Sequence, residues 1–312
     1  MGINTNNDWD PLEEIIVGTA DNARVPNLDV STRSFSYANY DLELIEGLEG
    51  PSDQWVIDEA NEDLDRLAKM LKSLGVKVIR PKSIDHSKKF SSPDWKTTGW
   101  YTYCPRDLLL PLNNLVIECP SPMRARQYET TAYRDVLYNA LEDGTEWIAA
   151  PRPRLLDDSY QFYNLKKPTL LNKEIIFDAP NIVRMGKDLL YQVSNSGNLL
   201  GFQWLKTILE PRGYRLHLSK GLYSYAQRLR VHQSLWLSVP HLPTLRPVST
   251  PSQDLPVCIA CALAEMDYQT YLAVPHIYFR CHTTLQVCLE AYFFRLSQSL
   301  SATRTFHVLR GS

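Results

Sequence analysis

The sequence lacks the features that would assign it to several special classes of protein. Its formal net charge is −2 and its isoelectric point lies near 6.4, so no basic excess favours nucleic acid or a membrane surface as a partner. No stretch reaches the roughly 18 consecutive apolar residues that a membrane helix needs. Six cysteines in 312 residues, with no signal peptide visible, do not indicate a disulfide framework. We therefore expect a soluble, cytoplasmic protein.

A second shortage divides the chain into two parts. Glycine is absent from Leu222 to Arg310, lysine is absent after Lys220, and only four acidic residues follow Gln227. The preceding part holds the other 31 of the 35 Asp and Glu residues (35 minus 4). We predict an α/β body over residues 1–226 and a divergent tail over residues 227–312. A shifted reading frame would produce so abrupt a change, and genuine divergence is the alternative.

Residues 1–226 alternate between strand and helix patterns. Apolar residues recur at helical spacing from Val56 to Leu74, Gly75 supplies a stop, and Val76–Ile79 then alternates as a strand. The same order of helix, glycine and strand returns near Gly213, which suggests a repeated ββαβ module. The other predicted elements are a strand at Glu14–Gly18, a hairpin of Leu108–Leu110 and Leu115–Glu118, a helix at Tyr133–Leu141, strands at Trp147–Ala150 and Glu174–Phe177, a helix at Asn198–Leu209 and a strand at Tyr214–Leu218.

Three segments carry side chains suited to a charged small molecule. Tyr103–Asp107 contains Cys-Pro-Arg-Asp, Arg124 and Arg126 precede a helix, and Asp178 follows a predicted strand. A carboxylate at a strand end faces a cleft in many α/β proteins and can bind a guanidinium through two hydrogen bonds, whereas paired arginines can bind carboxylate or phosphate. The plainer readings are a turn aspartate, ion-pairing arginines and, for Cys104, a small buried side chain.

Together these segments resemble the amidinotransferase family, which includes glycine amidinotransferase and the inosamine-phosphate amidinotransferases of aminocyclitol antibiotic pathways such as that of streptomycin. The resemblance covers about the first 225 residues. Within the family, the sequence is most similar to the inosamine-phosphate branch. It is carried by Asn7–Gly18, Asp85–Ser87, Pro93–Trp95, Cys104–Asp107, Arg124–Arg126, Ala132–Arg134, Ala149–Arg154, Phe177–Ala179 and Asp188–Asn198.

The resemblance implies a pentein fold, a five-bladed α/β propeller of ββαβ modules, of which the last two blades lack matching sequence here. It implies transfer of the amidino group of L-arginine to a small amine, through a cysteine–amidino intermediate, with release of ornithine. Asp178 matches the family's catalytic aspartate, and Asp107 and Arg126 are expected to bind substrate. No metal and no cofactor are implied, and homo-oligomerisation is left open.

Two family motifs have no counterpart in the tail. The family's His-x-Asp-Ser/Thr-Thr segment would begin at position 227, but the chain has Gln227 in place of the histidine and Leu229 in place of the aspartate. No Gly-Gly-x-x-His-Cys segment comes later. An amide does not titrate near neutrality, so Gln227 cannot act as an acid or base. The cysteines and histidines of the tail have irregular spacing and apolar flanks, which disfavours a zinc site. We expect an inactive amidinotransferase chain, with a non-catalytic arginine- or amine-binding protein and a pentein-type arginine hydrolase as alternatives.

Overall fold

The computed structural model describes residues 2–219. Residues 2–6 and 13–219 belong to one unit, and residues 7–12 belong to a second. The predicted boundary after residue 226, the tail 227–312 and its cysteines and histidines lie outside the described residues.

The described part of the chain alternates short strands with helices, as an α/β fold does. The helices are α1 (Val30–Ser36), α2 (Leu42–Ile45), α3 (Gln54–Ser73), α4 (Pro105–Leu108), α5 (Arg134–Glu142) and α6 (Leu199–Leu209). The strands are β1 (Glu14–Ile16), β2 (Arg24–Val25), β3 (Gly50–Pro51), β4 (Lys77–Ile79), β5 (Phe90–Ser91), β6 (Lys96–Thr97), β7 (Leu109–Leu112), β8 (Leu115–Glu118), β9 (Glu146–Ala149), β10 (Ile182–Met185), β11 (Asp188–Gln192) and β12 (Arg215–Ser219). Short 3₁₀ turns occupy Arg124–Arg126, Glu129–Tyr133, Asp157–Ser159, Ala179–Asn181 and Glu210–Arg212. None of the described helices has the length and apolar character to cross a membrane.

Two segments repeat one ββαβ module. β7 and β8 form an antiparallel hairpin, and β9 returns after α5 to lie parallel to β8. β10, β11, α6 and β12 have the same order and the same strand directions. β1 and β4 are also parallel, with α3 between them in the sequence. The sequence predicted the repeat from Gly75 and Gly213, and of these only Gly213 lies in one of the two complete modules, whereas Gly75 lies between α3 and β4 of a unit with two paired strands. Both glycines follow a helical segment in the left-handed conformation, with φ of +86° at Gly75 and +81° at Gly213.

The two complete modules share one core. Alternation along the β7–β8 hairpin places Leu110 opposite Ile117 and Leu112 opposite Leu115, and these four side chains pack with residues of the second module. Leu109 and Val116 instead pack with Leu137 of α5 and with Tyr133. The second module contributes Ile182, Leu189, Tyr191, Leu205, Leu209 and Tyr214 to the shared core. This packing brings the loops that precede β7 and β10 to the same region.

The predicted strand at Glu174–Phe177 is wrong. Of this run, Phe177 alone makes a bridge, which pairs it with Gly197. The side-chain amide of Asn198 donates to the carbonyls of Leu171 and Glu174 at 3.0 and 2.8 Å, so a side chain supplies hydrogen bonds that a neighbouring strand would otherwise make. Ile176 and Phe177 are fully buried. A buried loop and a buried strand give the same short apolar run, and periodicity cannot separate them.

Candidate active site

The segments that contain Asp107 and Asp178 lie against each other. Asp107 is in the single turn of helix α4, directly before strand β7. Asp178 comes directly before the 3₁₀ turn Ala179–Asn181, which leads into β10. The 3₁₀ turn contacts α4. Asp178 is therefore at the start of a turn rather than at the end of a regular strand.

The charges of Asp107 and Asp178 both raise the pKa of one buried thiol, that of Cys119. Asp178 is completely buried. Burial is the main reason why the pKa of Cys119 lies well above its ordinary value, and the charges of Asp178 and then Asp107 raise it further. Burial also raises the pKa of Tyr191 well above its ordinary value, with the charge of Asp178 as the next cause. The structure thus brings together the two acidic residues that the sequence predicts for the site.

The guanidinium of Arg126 is buried and bound by carboxylates of the protein. Nη1 donates to Oδ2 of Asp107 at 2.5 Å. Nε and Nη2 donate to the two carboxylate oxygens of Glu129 at 2.6 and 2.8 Å, and Nη2 also donates to the Cys104 carbonyl at 3.3 Å. These four hydrogen bonds leave one of the five guanidinium N–H groups for another acceptor. The geometry favours Arg126 as a support for Asp107, and its direct contact with substrate stays a prediction.

Glu129 is a member of this network that the sequence reasoning missed. It is 3% exposed, and burial raises its pKa to about 7, against the opposing effects of Arg126 and of a hydrogen bond from Tyr133. Burial works to lower the pKa of Arg126, but the charges of Glu129 and Asp107 raise it well above its ordinary value. The spacing of Arg126 and Glu129, three residues apart on consecutive helical turns, was the signal available in the sequence.

Asp107 has one carboxylate oxygen that is held and one that is open. Oδ2 accepts from Arg126, and no hydrogen bond from residues 2–219 reaches Oδ1. The side chain is 13% exposed. A carboxylate fixed through one oxygen is oriented before a ligand arrives, which lowers the entropic cost of binding a cation through the other oxygen. The arrangement is suited to a charged guanidinium or amine.

Comparison with known proteins gives the family. No protein-family model matches the chain. Over 223 residues, however, the chain is 44% identical to inosamine-phosphate amidinotransferase 1 of Streptomyces glaucescens, across 71% of this chain and 64% of that relative. The chain belongs to the amidinotransferase family.

Solved amidinotransferase structures give the same result for the fold. An inosamine-phosphate amidinotransferase from Streptomyces griseus matches with a TM-score of 0.67 and 43% identity, over 70% of this chain and 63% of that one. An amidinotransferase of the saxitoxin biosynthetic pathway from Microseira wollei matches with a TM-score of 0.62 and 35% identity, over 69% and 62% of the two chains. The α/β fold described above is therefore that of the amidinotransferases over about 70% of the chain. The chain spans somewhat less than two thirds of the length of these relatives.

Proposed function

We propose that the chain is an amidinotransferase homologue whose described residues are built to bind L-arginine, in a family reaction that passes the amidino group to an amine of the inosamine-phosphate type. The observation that carries this proposal is the contact between the segments of Asp107 and Asp178, whose charges both raise the pKa of Cys119, in a chain that is 44% identical to an inosamine-phosphate amidinotransferase. In the proposed reaction a cysteine thiolate attacks the guanidinium carbon of arginine, and ornithine leaves with the proton it needs. The acceptor amine then attacks the cysteine–amidino adduct and regenerates the thiol.

The described residues would bind and orient arginine in this reaction. A carboxylate that accepts two N–H groups of the guanidinium keeps the group planar and charged, which makes its central carbon a better electrophile. We assign this role to Asp178, whose complete burial strengthens its interaction with a cation. Asp107 would contribute its open oxygen, Oδ1, while Arg126 holds the other.

We infer that the described residues supply about three blades of a five-bladed propeller. The two complete ββαβ modules and the β1–α3–β4 unit support this inference. The remaining blades would come from sequence outside the described residues. In the family reaction the nucleophile and the acid/base would belong to those blades, in motifs that are expected after position 226 and that residues 227–312 lack.

For the 312-residue chain itself we expect binding of arginine without turnover. Residues 227–312 contain neither the family histidine motif nor the family cysteine motif, and loss of such groups costs several orders of magnitude in rate. Calorimetry should show arginine binding that is weakened about tenfold or more by Asp178→Asn, whereas Asp158→Asn on the surface should leave it unchanged. Absence of arginine binding would refute the proposed donor.

Product analysis separates the remaining alternatives. The purified chain is incubated with labelled arginine and an inosamine phosphate, and the amino acid products are resolved. No product is expected. Ornithine at an ordinary enzymatic rate would refute the expected inactivity and support the transferase, whereas citrulline would identify a hydrolase and refute the proposed transfer.

A further inference from the structure

A buried amide side chain, that of Asn181, holds the backbone of Asp178. Asn181 is 1% exposed. Its Nδ2 donates to the Asp178 carbonyl at 3.2 Å and to the Ser196 carbonyl at 2.8 Å, and its Oδ1 accepts from Ser194 Oγ at 2.7 Å. The backbone N–H of Asn181 donates to the same Asp178 carbonyl at 3.1 Å. One amide thus connects Asp178 to the turn formed by residues 194–197.

The same turn holds Asp178 from its other side. The backbone N–H of Asp178 donates to the Ser196 carbonyl at 2.8 Å. That carbonyl therefore accepts both from Asp178 and from Asn181 Nδ2. Ser194 and Ser196 are completely buried. With both its N–H and its C=O engaged, Asp178 has a fixed backbone, and only its two side-chain torsions remain to set the direction of the carboxylate.

Gly197 lets this turn pack directly on the amide of Asn181. A Cβ at position 197 would lie 2.4 Å from Asn181 Nδ2 and 2.8 Å from Tyr191 Oη. Any side chain there would displace the amide, so the close approach requires glycine. The Asn181 amide is therefore fixed by packing as well as by hydrogen bonds.

The polar character of this cluster needs a reason beyond stability. Buried amides and hydroxyls contribute little net stability compared with apolar packing of the same volume, because each must first lose its water. They do give a defined geometry, since each hydrogen bond fixes a direction. The cluster ends at Asp178, whose carboxylate must be correctly placed within about 0.5 Å to bind a guanidinium through both oxygens. We propose that Asn181 is a positioning residue for Asp178 and acts on arginine binding through it, an assignment that rests on the proposed function.

A double-mutant cycle tests this assignment on the full chain. Arginine affinity is measured by calorimetry for the wild type, Asn181→Ala, Asp178→Asn and the double variant. Asn181→Ala should weaken arginine binding about tenfold, yet have an effect below about twofold once Asp178→Asn is present, because a residue that acts through another has no separate effect. The matched control is Asn114→Ala, which removes an exposed side-chain hydrogen bond to the Gly144 carbonyl at 2.9 Å and should leave affinity unchanged.

A purely structural role gives a different result. Equal weakening by Asn181→Ala in both backgrounds, or wild-type affinity in Asn181→Ala, would overturn the assignment while leaving the proposed function intact. A wild-type chain that binds no arginine, or binds it equally after Asp178→Asn, would overturn both. If Asn181→Ala does not fold, the cycle is repeated with Ser194→Ala, which removes the 2.7 Å hydrogen bond to Asn181 Oδ1 together with the contacts of Ser194 Oγ to Ser196 Oγ and to the Ser196 backbone N–H. This variant should give a smaller effect that again depends on Asp178.

Discussion

The neutral imidazole of His86 gives a prediction about stability and pH. His86 is 3% exposed, and its Nε2 lies 3.3 Å from Thr102 Oγ1. Gly99 packs against the ring so closely that a Cβ there would lie 2.6 Å from Nδ1. Burial lowers the pKa of His86 from 6.5 to about 4. The folded protein therefore keeps this ring uncharged over a pH range in which the unfolded chain protonates it.

Nearby charges change the pKa of His86 less than burial does. Asp85 raises it, whereas Arg24 and Arg126 lower it. Because the folded-state pKa lies below the unfolded value, the unfolded chain binds more protons, and stability that is present above pH 6.5 is lost as the pH falls toward 4. The difference between 6.5 and about 4 corresponds to roughly 3 kcal/mol in all, of which about 2 kcal/mol should be lost by pH 5.

Glu129 works in the opposite direction, so the assay must separate the two groups. Its pKa is raised from 4.5 to about 7, which means that the folded protein holds a proton that the unfolded chain releases, and stability is gained as the pH falls from 7. We propose urea unfolding of the wild type and of His86→Asn at pH 7 and pH 5. The contribution of Glu129 is common to both proteins and cancels in their difference.

The difference in unfolding free energy between the wild type and His86→Asn should change with pH. Relative to His86→Asn, the wild type should lose about 2 kcal/mol between pH 7 and pH 5, whatever the pH-independent cost of the substitution. The ring protons of His86, assigned by their absence in the variant, should titrate near pH 4 in NMR spectra of the folded protein. A constant difference in unfolding free energy, together with a midpoint near 6.5, would refute the reasoning.

Three further predictions concern buried groups. Arg126→Met leaves the buried carboxylate of Glu129 and the partly buried carboxylate of Asp107 without their common partner, so the free energy of unfolding in urea should fall by roughly 3–5 kcal/mol; a loss below about 1 kcal/mol would contradict this. Gly18→Ala should give little folded protein in circular dichroism and size-exclusion chromatography, because its Cβ would lie 2.2 Å from Tyr103 Cα. Cys119 should resist alkylation at pH 8 in the folded protein and react in urea, as followed by peptide mass spectrometry, because its thiol is buried and its pKa is raised; rapid native labelling would count against this environment.

Much of the fold follows from local sequence patterns. The helical spacing of Leu64, Leu67 and Leu71 predicts α3, and all three side chains are buried in the structure. The Asn113-Asn114 turn predicts the β7–β8 hairpin, and Asn113 has the left-handed φ of +51° that such turns favour. The pattern fails at Glu174–Phe177, because the buried residues there belong to a loop held by the side chain of Asn198 rather than to a sheet.

The candidate site was predictable only in part, because some of its contacts join residues that are distant in the sequence. Asp107 and Asp178 belong to motifs that are contiguous in sequence, so the family resemblance identifies them directly. Asn181 meets Ser194 and Ser196 across 13 and 15 residues. These contacts depend on the fold of the second module, and no local spacing indicates them.

The role of Arg126 shows how the charges of the site decide between ligand classes. From sequence, an arginine in this place predicts a clamp for an anion, but its guanidinium is already bound by Asp107 and Glu129. The charges of Asp178 and Asp107 also raise the pKa of Cys119, whereas the charge of Arg106 lowers it. The carboxylates of Asp107, Asp178, Glu118 and Glu129 outnumber the guanidiniums of Arg106, Arg126 and Arg134 by one when Glu129, whose pKa is about 7, is ionised. Under the proposed function, a ligand with a positive charge is therefore the better electrostatic match. The guanidinium of arginine has that charge, and the urea of citrulline has none. Recognition should therefore depend on the charge of the reacting group as much as on its shape.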